Sequence, residues 1–242
     1  MASESAVDVT ELDFLLDPRW QVAHDLADIV RRRWPADVLA VGVHGSLAHG
    51  DDRDGTDIDL AVVTYKPDTG PPPTRARIAG TVVRVAVTGA EDALVQARTL
   101  TTRWPLIADR YLHRRALYDE SGWHARLRDT HLNRLAEAGT REFTALARDA
   151  WCDAFSLLER AVRCTEWHDS DGALLLLGEA RTAGALTDGL LSRTYFRAST
   201  DATRRTGLAG LDIVEVRDRL GRQADELAKR GWPVDAMVSD LF

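Results

Sequence analysis

The sequence predicts an α+β protein, an N-terminal mixed sheet with helices followed by a C-terminal helical bundle. Three observations predict it. Short apolar, β-branched runs recur at 38–43, 57–65 and 81–87, separated by turn residues. After Asp119-Glu-Ser-Gly122 these runs stop, and segments of helical periodicity follow. The 242 residues, 45% of them hydrophobic, suffice for one large domain or two small ones. The change of character near residue 120 divides the chain into 1–119 and 120–242.

Taken in order, residues 1 to 17 form an acidic lead-in. Pro18 to Arg33 places Trp20, Val22, Ala23, Leu26, Ile29 and Val30 near helical spacing. Arg31 to Arg33 suit the helix C-terminus, and Pro35 stops it. Val38 to Val43 is the first strand, Gly45-Ser46 the turn into a short helix, 51–56 a polar loop, and Asp57 to Tyr65 the second strand. Pro67 to Thr74, with Gly70 and Pro71-Pro-Pro73, is a loop. Thr81 to Val87 alternates as a third strand, and Gly89 opens a helix to Arg98. Arg103 to Arg110 is a short helix with Pro105 in its first turn. Leu112 to Tyr118 is a fourth strand. Helices are expected over 123–138, 141–168, 172–198 and 213–230. The third is apolar almost all round, which predicts the buried centre of the bundle.

The formal charge is -7, so general affinity for nucleic-acid phosphates is not expected, and an acidic surface suits a cationic small molecule better. No uninterrupted apolar run is long enough to span a membrane, and the N-terminal residues lack the pattern of a signal peptide. Cys152 and Cys164 lie too far apart on one helix to bridge, and read as reduced thiols of a cytoplasmic protein.

The chemistry concentrates in Val41-Gly-Val-His-Gly-Ser-Leu-Ala-His-Gly50 and in Asp57-Ile-Asp59 at the head of the second strand. Strand residues two apart share a face, so Asp57 and Asp59 present two carboxylates together. Such a pair repels unless something positive lies between its members, and a hard dication such as Mg²⁺, which takes oxygen ligands, is the usual answer. At Gly45-Ser46 a strand turns into a helix, where exposed backbone N–H groups attract phosphate and the Ser46 hydroxyl can donate to it.

This arrangement resembles the signature of the nucleotidyltransferase superfamily of the DNA polymerase β type: an apolar residue, Gly, Gly or Ser, about a dozen residues, then Asp-apolar-Asp. A closer resemblance is to the kanamycin (aminoglycoside) nucleotidyltransferase family. It rests on Val43-His-Gly-Ser-Leu47, on Trp104-Pro-Leu106 with Tyr118-Asp119 following, and on Gly231-Trp-Pro-Val-Asp235 before a terminal Phe242. The resemblance implies a nucleotidyltransferase domain over 1–119 and a helical domain over 120–242. It implies Mg²⁺-dependent transfer of a nucleoside monophosphate from a nucleoside triphosphate, ATP in the first instance, to a hydroxyl of an aminoglycoside-like small molecule. It further implies a homodimer with a shared active site, and antibiotic resistance as the setting. In this reading Asp57 and Asp59 hold metal, and Gly45, Ser46 and His49 bind the triphosphate, His49 standing where the family has a basic residue. The family's proton acceptor, a Glu on the long helix, falls on Asp153 by an ungapped count from Tyr118.

Two departures stand out. The family carries a further carboxylate on the third strand, whereas this chain reads Val83-Arg-Val-Ala-Val87 there. The family's Lys one turn after the catalytic Glu is Leu157 here, with Arg160 and Arg163 as nearby cations. They leave two alternatives open. One is a catalytically impaired homologue that binds a nucleotide or small molecule. The other is the same fold acting on a biosynthetic intermediate or a protein side chain.

Overall fold

The computed structural model describes residues 17–50 and 57–235. The expected lead-in, the polar loop at 51–56 and the terminal Phe242 lie outside the described residues. The chain is α+β and divides into two compact units: 1–99 with 109–134, and 100–108 with 135–242.

The first unit is built on a five-stranded mixed sheet. Helix α1 (Pro18–Arg33) begins where Asp17 accepts a hydrogen bond from the Arg19 N–H, with Pro18 in the first turn. Strand β1 (Val38–His44), the single helical turn α2 (Ser46–His49), β2 (Ile58–Thr64), β3 (Thr74–Ile78) and β4 (Thr81–Gly89) follow. Helix α3 (Ala90–Arg98) comes next. Two further one-turn helices are α4 (Trp104–Ile107), which belongs to the second unit, and α5 (Asp109–Leu112), where one helix was expected. Strand β5 (Arg115–Tyr118) closes the sheet. The spatial order is β3-β4-β2-β1-β5, with β2 and β4 parallel and the other pairs antiparallel.

Strand β3 corrects the sequence reading, which treated Pro67 to Thr74 as a loop and saw no strand between the second strand and Thr81. Its residues Arg75-Ala-Arg-Ile78 are nearly all exposed, as befits an edge strand, so no buried face imposes an apolar alternation. The signal lies in the hairpin turn, where Ala79 and Gly80 both take positive φ, +48° and +85°.

Two layers of side chains cover the sheet. On one face Val41, Val43, Ile58, Leu60, Val62 and Val83 pack with Ala23, Ala27 and Val30 of α1. On the other, Ala40 and Val63 pack with Ala93, Leu94 and Ala97 of α3 and with Trp123 and Leu127. Each fully buried aliphatic side chain contributes about 1.5–3 kcal/mol. The second face carries apolar residues only part way along the strands; further along stand His44, Asp59 and Arg84.

Helix α6 (Trp123–Glu137) lies almost wholly in the first unit. The second unit is helical, with α7 (Thr140–Glu166), α8 (Ser170–Ser192), α9 (Ser199–Arg205) and α10 (Ile213–Lys229). Ala154, Leu158 and Ala161 of α7 meet Leu177, Ala180 and Ala185 of α8 and Val216 and Leu220 of α10. A capping box between Asp212 and Glu215 starts α10. The expected helix 172–198 ends earlier, at Ser192, where Arg193 adopts a left-handed conformation, and α9 is a separate element. The expectation of all-round burial for this helix is also corrected: Leu174 and Leu175 are 67% and 71% exposed. Apolar composition does not create neighbours, and α7, α9 and α10 do not reach that side.

Gly189 of α8 marks a close approach. A Cβ there would lie 2.7 Å from a Phe196 ring carbon, 2.9 Å from the Thr194 carbonyl oxygen and 3.0 Å from the Pro105 Cβ. Gly189→Ala is expected to destabilise the protein by about 1–3 kcal/mol, the usual cost of overpacking. The measurement is the urea midpoint at unchanged slope.

Candidate functional site

Sheet register assembles the site. Asp59 on β2 pairs with His44 of β1 on one side and with Arg84 of β4 on the other. Arg84 in turn pairs with Arg75 of β3. Residues opposite one another in a sheet share a face, so His44, Asp59 and Arg84 form one row. Asp57, just ahead of β2, joins it through Arg84.

Arg84 bridges the two carboxylates. One guanidinium nitrogen is ion-paired with Asp57, and the other lies 3.1 Å from Asp59 Oδ1. The hydrogen bond to Asp59, foremost, and the charges of both carboxylates raise the Arg84 pKa. The two acids converge on one positive charge. In this structure it is the chain's own guanidinium.

The donor set can be tested against the divalent cation that such a pair implies. The oxygens are the right type for Mg²⁺ and reach a common cation, so the chemistry fits. Arg84 is 41% exposed, with solvent into which it can swing, and both carboxylates are 28% exposed and accessible. Asp57 and Asp59 are the residues that would hold the ion, once Arg84 has left them.

The Gly45-Ser46 turn lies against the same row. Gly45 has φ +75°, which favours glycine, and a Cβ built on it would sit 3.1 Å from Asp59 Oδ2. Glycine thus brings the backbone of the turn close to the carboxylate. Ser46 starts α2 and His49 ends it.

His49 is tied down. Its Nε2 lies 2.8 Å and 3.0 Å from the two carboxylate oxygens of Asp109. The Asp109 side chain is nearly buried, and its Oδ1 also lies 3.1 Å from His113 Nδ1. Neither Asp109 nor His113 was singled out from the sequence. The available signal was their spacing of four, which puts both on one face of a helical turn.

Burial, foremost, and the Arg114 guanidinium push the His44 imidazole down to about 4, against the opposing pull of Asp59. Burial likewise lowers His124 and His131. Arg114 is itself pushed down to about 10 by burial. These shifts set a pH dependence. Between pH about 6.5 and 4 the unfolded chain binds a proton at His44 that the folded chain refuses, so stability present above 6.5 is lost as pH falls through this window. The loss from this group is on the order of 3 kcal/mol. Urea unfolding as a function of pH should show it, and His44→Asn should flatten the curve.

Asp153 belongs to the second unit. It is exposed on α7, as is Asp149, while Ala150 and Ala154 are buried. It lines a cleft of about 750 Å³ together with Ser156, Leu157, Arg160, Glu179 and Arg103. Arg160 thus shares the cleft with Asp153. Neither cysteine is in a disulfide.

Comparison with known proteins gives a family match over the first unit. Residues 24–115 match the family model described as Nucleotidyltransferase domain, a span that contains Gly45, Ser46, His49, Asp57, Asp59 and Arg84. No curated protein matches the chain. Among solved structures the chain is similar to a nucleotidyltransferase-like protein from Exiguobacterium sibiricum. Identity is 11%, the match covers 86% of this chain and 75% of that one, and the TM-score is 0.47.

Proposed function

We propose that this protein transfers a nucleoside monophosphate from a nucleoside triphosphate, ATP in the first instance, to a hydroxyl of a small molecule. One observation carries the reading: the Gly45-Ser46 turn is packed directly against Asp59, within a segment that matches the nucleotidyltransferase domain. Phosphate-binding backbone and an acidic pair in one place are what this reaction needs. Gly45 and Ser46 bind the triphosphate, the Ser46 hydroxyl donating to a phosphate oxygen. Asp57 and Asp59 would hold Mg²⁺, which when bound would neutralise the triphosphate and stabilise the charge of an in-line displacement. Asp153 takes the proton of the acceptor hydroxyl.

Net charge and the Asp153 cleft bear on the acceptor class. Net charge of -7 and a cleft carrying Asp153, Glu179 and Ser156 favour a polyhydroxylated, cationic, aminoglycoside-like molecule. Arg160 and Arg103 in the same cleft would suit an anionic biosynthetic intermediate instead. A homodimer belongs to the same reading, and the exposed Leu174 and Leu175 support it. Among the described residues no helix is long and apolar enough to cross a membrane.

A second reading, nucleotide binding without turnover, is favoured by Arg84, which occupies the acidic pair and puts a cation where the resembled family has a third acid. Incubation with labelled nucleoside triphosphates, Mg²⁺ and a panel of aminoglycosides separates the two. Pyrophosphate release that depends on acceptor supports transfer. Retained ATP binding with no release for any acceptor or nucleotide overturns it and leaves the binding protein.

A further inference from the structure

We propose that His49, Asp109 and His113 form a binding site for a transition-metal dication, Zn²⁺ foremost, distinct from the Asp57–Asp59 pair.

The site begins with a buried charge. Asp109 is 4% exposed, and a carboxylate there is costly unless it is paired. Its partners are two imidazole nitrogens converging on one oxygen: His49 Nε2 at 2.8 Å and His113 Nδ1 at 3.1 Å from Oδ1. The three ligand atoms lie within 4.8 Å of one another. Around a tetrahedral zinc, with bonds of about 2.0–2.2 Å, ligand atoms sit roughly 3.3–3.5 Å apart. The two contacts to Asp109 need open only slightly to admit the ion. His113 is 43% exposed, which gives the ion a way in.

Two short, ordered pieces of backbone hold the donors. Asp109 and His113 are four apart, and the His113 N–H donates to the Asp109 carbonyl at 2.9 Å. His49 ends α2, directly before Gly50 in a left-handed cap. The imidazole planes are tilted by 42° with centroids 4.7 Å apart, so the rings splay around the carboxylate rather than stack.

The donor types select the metal. Two imidazoles and one carboxylate suit Zn²⁺, Co²⁺ or Ni²⁺, while Mg²⁺ prefers all-oxygen surroundings. Three protein ligands leave a fourth position to water or an anionic oxygen, the pattern of a reactive rather than a purely structural zinc.

The test uses the full-length chain stripped of metal and titrated with Zn²⁺ alone, followed by calorimetry and by thermal melting. A parallel titration with Co²⁺ reads the intense visible absorption of a tetrahedral complex. The expected result is one Zn²⁺ per chain at micromolar concentration, with a rise in Tm on binding. His113→Ala should weaken binding by about a hundredfold or more, since even an outer partner of a ligand is worth 10–100-fold. Its melting without zinc should fall only a little, because His49 Nε2 still pairs with both Asp109 oxygens. Asp57→Asn should leave Zn²⁺ affinity unchanged. Absence of Zn²⁺ binding, or binding that survives His113→Ala, or binding lost in Asp57→Asn, overturns the assignment.

Discussion

Asp59→Asn is expected to lower acceptor-dependent pyrophosphate release by about 10³-fold or more. Asp59 is the central member of the row His44–Asp59–Arg84 and the side chain nearest the Gly45 backbone. An amide keeps its shape and its hydrogen bonding to Arg84 but cannot share a dication with Asp57. Stabilisation of developing charge by such an ion is worth several kcal/mol, and each 1.36 kcal/mol is a factor of ten. The fold should change little, because the Asp59 side chain is 28% exposed and its partner Arg84 is 41% exposed. The check is a pyrophosphate assay on purified wild-type and variant protein, with ATP binding measured alongside. Binding should persist through the Gly45-Ser46 turn while turnover is lost. Turnover at the wild-type rate would remove Asp59 from the chemistry.

Arg84→Glu is expected to act in the opposite sense on metal binding. The substitution removes the guanidinium that now bridges Asp57 and Asp59 and puts a third carboxylate beside Asp59 in register. Three converging acids repel in the absence of a cation, so the variant should be less stable than wild type by about 1 kcal/mol, a figure kept small by solvent screening. The same acids should bind Mn²⁺ or Mg²⁺ at least about tenfold more tightly, because the ion no longer competes with an internal cation and gains a ligand. Millimolar Mg²⁺ should therefore restore the lost stability, by the ordinary linkage between binding and folding. Arg84→Met, which removes the charge without adding an acid, should fall between. Calorimetric titration with Mn²⁺ and urea unfolding with and without Mg²⁺ read both effects. Equal Mn²⁺ affinity in all three proteins would show that Arg84 does not compete for the pair.

Much of the site was legible in the sequence. Gly45-Ser46 reads as a turn because an apolar run ends there in a glycine, and the structure gives that glycine positive φ. Asp57 and Asp59 read as a converging pair because strand alternation is a local rule. Helices α1, α3, α6, α7 and α10 follow from apolar spacing, which depends on no distant residue. What escaped has a common cause. Strand β3 is an edge strand with little to bury, so it leaves no period-two pattern. The outward side of α8 stays exposed because burial depends on which neighbours arrive. Asp109 and His113 carry no recognisable motif, and they become notable only when the turn of α2 brings His49 to them.

Arg84 shows the division most clearly. Its sequence position shows a cation on a strand where the resembled family carries an acid. It does not reveal that the residue opposite is Asp59, because strand pairing across 25 residues is set by the whole sheet. By itself the sequence determined the local conformations and the chemical character of the Gly-Ser turn and the paired acids, since both follow from neighbours along the chain. The tertiary structure alone decided which cation those acids hold in the folded chain and which histidines surround Asp109, because register and packing bring together groups that are distant in sequence.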